Sequence, residues 1–276
     1  MSHPLGRLGL LHPFPSALNA LLVGVLATVA GAQSPVAATL AFAMLGFQVS
    51  IGALNDLVDA PADAVTKPTK PIPAGAVAPR TARLVVVVGG GIGVCLSLVA
   101  SPTALLLGVA GYGCGVAYDL SLKRRGIGWV AFTFAFPLLL MFAWTGAGGG
   151  LPPGWQILLP LAAMAGPALQ LANALTDLDH DLATGGGGLA VRLGRRRAVW
   201  LLVGLTVAVH GMAWVAIAST QPPDVSIVIG VIGSILAAVG VMGSARGSAR
   251  STAWGWTLQA IGLAALAVAW VVAAAN

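Results

Sequence analysis

The 276-residue chain has no glutamate, and its 14 Lys and Arg with 8 Asp leave it only 8% charged. Soluble proteins carry about 25% charged residues, so a surface facing water on every side cannot be built and an ordinary soluble domain is excluded. Cysteine is nearly missing as well. Cys95 and Cys114 both fall inside apolar runs, with neither the paired spacing of a zinc site nor a soluble loop to staple, and read as small buried hydrophobes. The histidines offer no cluster either: His3 and His12 lie near the amino terminus and His210 stands alone in an apolar run. His180, between Asp179 and Asp181, reads as a solvated neighbour rather than a ligand.

What the chain has instead is apolar residues, 58% of the total with a mean hydropathy of +0.92. They arrive in runs of roughly 17 to 22, the length of a bilayer-spanning helix. The expected spans are 16–32, 36–54, 82–100, 103–118, 128–147, 155–176, 198–218, 225–243 and 254–274, about nine in all, each bounded to within a few residues. The first run is too long for a secretory signal core and lacks a clear cleavage pattern, so it reads as the first span. Gly89, Gly90, Gly91 and Gly93 would weaken a soluble helix but in lipid let backbones approach closely. The fold class expected is an all-α integral membrane protein.

An odd number of spans sends alternate loops to opposite faces, and the basic residues test the count. Arg7, the 67–83 group, the 123–125 group, 192–197, Arg246 and Arg250 all fall on one side, and these are all the Lys and Arg of the chain. The positive-inside rule makes that side, with the amino terminus, cytoplasmic and the protein a multi-pass protein of the cell membrane. The net charge of +6 is thus an orientation signal that also suits anionic membrane lipid, and nucleic acid is not an expected partner. The opposite loops, 31–35 and 146–154, are uncharged and rich in Gly and Pro, as turns between helices are.

Seven of the eight Asp lie on the cytoplasmic side, Asp224 alone being outside, and six fill two windows where the second and sixth spans end. In each, Asn is followed by Asp four residues on and again four further: Asn55, Asp59, Asp63 and Asn173, Asp177, Asp181. On a helix this spacing stacks three oxygen-bearing side chains along one face, about 5 to 6 Å apart. Four spans separate the windows, so both helices run the same way and both acidic faces emerge on one side, where they can converge. Carboxylates so collected repel unless a cation neutralises them. Oxygen-only ligands favour magnesium or calcium, and magnesium typically links a few carboxylates to phosphate oxygens. Lys67, Lys70, Lys123, Arg124, Arg125 and Arg192 lie beside the windows, suited to the remaining phosphate charge.

The run 55–63, Asn-Asp-x-x-Asp-x-x-x-Asp, with the Lys-Pro-Thr-Lys-Pro-Ile-Pro-Ala-Gly stretch from Lys67 to Gly75, resembles the UbiA superfamily of intramembrane prenyltransferases. Asp177-x-x-x-Asp181 with the later Leu-Ala-Val-Arg-Leu-Gly of 189–194 is similar to that family's second motif. The resemblance covers the whole chain and implies a UbiA-type bundle of nine helices around a central lipid-accessible cavity, as a single prenyltransferase-like domain with halves of about 16–127 and 128–274. It implies an isoprenyl diphosphate held by magnesium, two ions in the family, and a lipophilic acceptor, aromatic or otherwise. Asn55, Asp59, Asp63, Asn173, Asp177 and Asp181 take the catalytic positions, with Asp56, Asp59, Asp63, Asp177 and Asp181 as metal ligands. Asn173 acts through its amide, near the diphosphate or the developing cation. Lys67, Lys70, Tyr118, Lys123, Arg124 and Arg192 are the expected diphosphate-binding set.

Two departures from the family stand out. Tyr118 and Lys123 are five apart where the family places Tyr and Lys four apart, and 185–188 replaces the usual Gly and Thr pattern, which reads as a mobile loop. Trp129, Phe132, Phe134, Phe136 and Trp144 could steady a cation, but aromatics in a span more often pack or anchor. Competing functions are a membrane terpene cyclase with the same ionisation step, a secondary transporter, whose ion sites lie nearer the bilayer midplane, and a phosphatidyl-alcohol transferase, whose extended motif is missing.

Overall fold

A computed structural model describes residues 8–185 and 187–275, so that His3 and Arg7 of the sequence argument lie outside the described residues. Among the described residues nine helices are long and apolar enough to cross a bilayer, and the helices run in chain order with no strand. A short 3-10 turn at Gly9–Leu11 leads into α1 (Pro13–Val29), α2 (Ser34–Thr66), α3 (Pro79–Ala100) and α4 (Pro102–Ala117). After α4 a π-helical segment, Tyr118–Leu122, precedes α5 (Gly128–Gly146) and α6 (Trp155–Thr176). The seven-residue α7 (Leu178–Thr184) is followed by α8 (Leu189–Ala218), α9 (Asp224–Arg246) and α10 (Ala249–Ala274). Proline stands in the first turn of each of α1 to α4, where its fixed φ suits the helix and its missing N–H costs no bond.

The chain forms two compact units, Met1–Ser121 with Met141–Gly149, and Leu122–Leu140 with Gly150–Asn276. In the first, α2 and α3 cross with their backbones nearly touching: a Cβ placed on Gly46 would come 2.8 Å from the Gly89 carbonyl oxygen. Beside the crossing, Gly93 leaves room for the buried Phe47 ring, which stacks on Tyr112 at 5.1 Å between centroids. The Ser50 hydroxyl donates to the Val86 carbonyl at 2.7 Å and pairs with the Tyr112 hydroxyl at 2.8 Å. Polar groups at membrane depth thus satisfy one another, as lipid requires. Three of the four expected packing glycines of α3 have such neighbours; Gly91 faces open space.

In the second unit Leu171 and Leu175 of α6, Leu178 of α7 and Ala198 and Leu202 of α8 form one buried cluster. The α9–α10 pair closes on small residues, since a Cβ on Gly255 would come 2.6 Å from the Gly240 carbonyl oxygen. The Gln259 amide there donates to Ser244 Oγ at 3.0 Å and to the Gly255 carbonyl at 3.2 Å.

Several sequence expectations change in detail. The second helix does not stop at residue 54 but runs on through the acidic window and Pro61 to Thr66, 33 residues in all. At 1.5 Å per residue that is about 50 Å, against about 30 Å of hydrocarbon, so the helix is longer than the apolar layer is thick. The helix of the second window instead ends at Thr176, with Asp177 out of helical geometry at φ −104° and ψ 3°, so its three oxygen-bearing side chains do not share one continuous helix. The cysteines are free, but Cys95 is exposed and Cys114 only half-buried. Neither is therefore the buried hydrophobe that its apolar run suggests.

Candidate functional site

The first acidic set stands on the last turns of α2. Asp56 and Asp63 are seven residues apart, hence on one face, and each is 3% exposed. Lys70 comes back to them from the following loop: its Nζ donates to Asp56 Oδ1 at 3.0 Å and to Asp63 Oδ2 at 2.8 Å. Burial by itself would lower the lysine's pKa, but the hydrogen bonds to Asp63 and the field of Asp56 outweigh it and hold the ammonium above its ordinary value.

The loop is fixed locally by its own turns, Ala74 N–H to the Lys70 carbonyl at 2.9 Å and Val77 N–H to the Pro71 carbonyl at 3.0 Å. Its apolar residues Ile72 and Val77 pack on Leu10, Ala53 and Ala82. The ammonium therefore arrives on a pinned loop, at a pair of carboxylates that the sequence had not assigned to it.

Two further groups complete this set, neither expected from the sequence. His12 Nε2 lies 3.2 Å from the same Asp56 Oδ1 that receives Lys70. The Asn55 amide donates at 2.9 Å to Oδ1 of Asp119, which is 2% exposed on the π-helical segment. Apart from Asp224, Asp119 is the one aspartate outside both windows, a signal that could have found it in so uncharged a chain. Asp59 lies half-buried between Asn55 and Asp63 on the helix, and Lys67 closes it as its C-cap, with its N–H on the Asp63 carbonyl at 2.8 Å.

Tyr118 opens a π-helical segment that ends at Leu122, and Lys123 stands in the turn that follows; the backbone here is wound wider than an α-helix, which bonds residue i to i+4 rather than i+5.

The second acidic set is built on a break. Asn173 is half-buried near the end of α6, Asp177 is the joint, and Asp181 lies on α7, yet the Asp181 N–H still bonds the Asp177 carbonyl at 2.8 Å, so the turn is held across the joint. Gly185 ends α7 in a left-handed turn at φ 73°. Beyond it Gly187 lies against the Arg124 carbonyl and Gly188 beside Asp181 Oδ2.

Arg192, on the first turn of α8, donates from Nη2 to the Arg125 carbonyl at 3.0 Å, and its guanidinium covers Gly126. That glycine has φ +73°, and a Cβ there would come 2.9 Å from the guanidinium, so both backbone handedness and space reserve the position. Lys123 and Arg124 therefore stand on a loop clipped to Arg192. The remaining acid of the window, Asp179, is 78% exposed and pairs with Arg195 at 3.0 Å, a surface pair of small energetic weight.

The expected residues thus gather as two sets, one in each unit. Among the described residues no three His, Cys or carboxylate groups come close enough to hold an ion by themselves. The donors are all oxygen, and in the first set the carboxylates already hold a cation, the Lys70 ammonium. Such a set fits an ion that takes only one or two protein carboxylates and completes its shell with water and phosphate, which is the habit of magnesium.

Nine apolar helices among the described residues, with carboxylates and lysines near the ends of two of them, define a class: a multi-pass helical membrane protein. Comparison with known proteins makes the class specific. The UbiA prenyltransferase family matches over residues 17–254. The digeranylgeranylglyceryl phosphate synthase of Natronomonas pharaonis is 30% identical over 73% of this chain and 74% of its own. Chlorophyll synthase of Arabidopsis thaliana is 30% identical over 61% of this chain and 47% of its own. Among solved structures, a UbiA homolog from Archaeoglobus fulgidus bound to GPP and Mg2+ superposes with a TM-score of 0.68 at 15% identity, covering 92% of this chain and 99% of that one. The chain belongs to the UbiA prenyltransferase family and is an intramembrane prenyltransferase.

Proposed function

We propose that this protein transfers an isoprenyl group from an isoprenyl diphosphate to a lipophilic acceptor, with magnesium ions that the carboxylates of the two acidic sets would hold. The observation that carries this reading is the pairing of buried Asp56 and Asp63 with a lysine of the adjoining basic loop at the end of an apolar span. The second acidic set beside Arg192, and the GPP and Mg2+ bound by the Archaeoglobus fulgidus homolog, support it.

The chemistry follows from the two natures of the substrate. Its tail partitions into the bilayer and its diphosphate seeks cations, so the reacting carbon lies at the boundary. Magnesium, when bound, would supply charge that stabilises the departing diphosphate. Asp59 and Asp63 in the first set, and Asp177 and Asp181 in the second, would hold such ions, while Asp56 anchors Lys70 and Asn55 is oriented by Asp119. Lys67, Lys70, Tyr118, Lys123, Arg124 and Arg192 bind the phosphate oxygens. The bond from the allylic carbon to the diphosphate oxygen breaks with its electron pair leaving on oxygen, and the acceptor's nucleophile attacks the carbon while giving up its proton. Asn173 contributes its amide near the diphosphate or the developing cation.

By the positive-inside rule the sets face the cytoplasm of a cell membrane. The relatives' names, one a prenylated glyceryl phosphate and one a chlorophyll, leave the acceptor to be identified by experiment. Purified protein is incubated with magnesium and labelled prenyl diphosphates, with and without an acceptor panel, and products are read by mass spectrometry. Transfer predicts a prenylated acceptor that disappears in Asp59→Asn and in Asp181→Asn. A cyclic hydrocarbon or alcohol formed without acceptor would instead establish a cyclase.

A further inference from the structure

The sequence left His12 as an isolated residue, yet three independent features of the fold converge on it. Its backbone is left-handed at φ 44° and ψ 61°, and it is the one non-glycine with positive φ among the described residues. Such a conformation in a residue with a side chain persists only where the surroundings over-determine it. Its ring lies against the bare Cα of Gly52, where a Cβ would come 2.8 Å from the ring's Cδ2. Finally, Nε2 is aimed at Asp56 Oδ1 at 3.2 Å.

The same segment grips the basic loop by other contacts. Leu10 is buried with Val77, and Gly9 lies against the Pro71 ring, a Cβ there coming 3.3 Å from Pro71 Cγ. The turn before α1 and the loop after α2 thus form one assembly, and His12 is its polar contact with the acidic helix.

The arrangement around Lys70 is asymmetric. Asp63 meets the ammonium at its Oδ2, whereas Asp56 Oδ1 meets both the ammonium and the imidazole. Were Asp63 to hold a metal ion, Lys70 would keep its bond to Asp56, and the direction of that bond would depend on how firmly Asp56 is held.

We propose that His12 is a positioning residue for diphosphate binding: by fixing Asp56 it keeps Lys70 tethered to α2 as Asp63 is given up, so that the ammonium turns to the phosphate oxygens. The inference rests on the prenyl diphosphate reading above. His12 acts through Asp56 and Lys70 and touches no substrate.

The test compares His12→Gly with His12→Gln in the full chain. Glycine keeps the left-handed turn without strain but removes the ring, and glutamine places an amide nitrogen the same number of bonds from Cα as Nε2. Binding of inorganic diphosphate and of geranyl diphosphate is measured with magnesium present. His12→Gly is expected to weaken both by about tenfold, the factor of one hydrogen bond to a charged group. The ratio of the two affinities stays unchanged because the tail's site is untouched, and His12→Gln recovers most of the loss. A structural defect alone would change that ratio and would not be rescued.

Hydrogen exchange of residues 67–78 is measured on the same proteins without ligand, and is expected to quicken in the glycine variant and recover in the glutamine one. Unchanged diphosphate affinity in His12→Gly, or no rescue by glutamine, overturns the proposal. If the wild-type protein binds neither diphosphate, the prenyl diphosphate reading falls and with it the role in binding, whereas an exchange pattern unaffected by His12→Gly refutes the tether alone.

Discussion

At the scale of single residues, the site is a matter of which charges are buried together. Lys70 lies between two carboxylates that are each 3% exposed, so removing the cation strands buried negative charge. Lys70→Met is expected to cost about 3 kcal/mol of stability, read as a fall in the melting temperature of the purified protein in detergent. Combining it with Asp56→Asn and Asp63→Asn should return much of that loss, because the buried charge is then gone. Without such recovery, the ammonium would have to act on something other than these two aspartates. Arg192 offers a second test. Its planar guanidinium both donates to the Arg125 carbonyl and covers Gly126, which a lysine cannot do at once, so Arg192→Lys should lower transfer activity at least tenfold while keeping the net charge.

At the scale of elements, two short devices place these residues. The loop 123–127 needs glycine at position 126 for its φ of +73° and for the space taken by Arg192 and the Gly187 carbonyl. Gly126→Ala is therefore expected to loosen both the 123–127 loop and the start of α8, seen as faster hydrogen exchange in the two together rather than in one. The α9–α10 crossing depends on close approach, with the Gly255 position 2.6 Å from the Gly240 carbonyl oxygen once a Cβ is added. Helix association in lipid rests on such packing rather than on a hydrophobic drive. Gly255→Val should force the pair apart and destabilise the second unit by about 2 kcal/mol or more, measured by thermal unfolding, while leaving the exchange of residues 67–78 in the first unit unchanged.

At the scale of the whole molecule, the proposed chemistry makes activity depend on an oxygen-loving divalent ion. Chelation should abolish product formation, magnesium should restore it, and calcium, larger and less demanding in geometry, should restore it poorly. Much of this was legible in the chain. Nine apolar runs of bilayer length, basic residues confined to alternate loops of the sequence, and two Asn-Asp-Asp windows follow from composition and period, properties that a helix displays locally along its own length. What only the tertiary structure decided is which charges meet: Lys70 with Asp56 and Asp63, His12 with Asp56 across 44 residues, Asn55 with Asp119 across 64. It also decided that the first window stays helical through Pro61 while the second breaks at Asp177. Spacing along a chain fixes the face of a helix on which a side chain stands, but the partner on that face comes from helices and loops folded against it, and their approach is set by packing that no local pattern encodes.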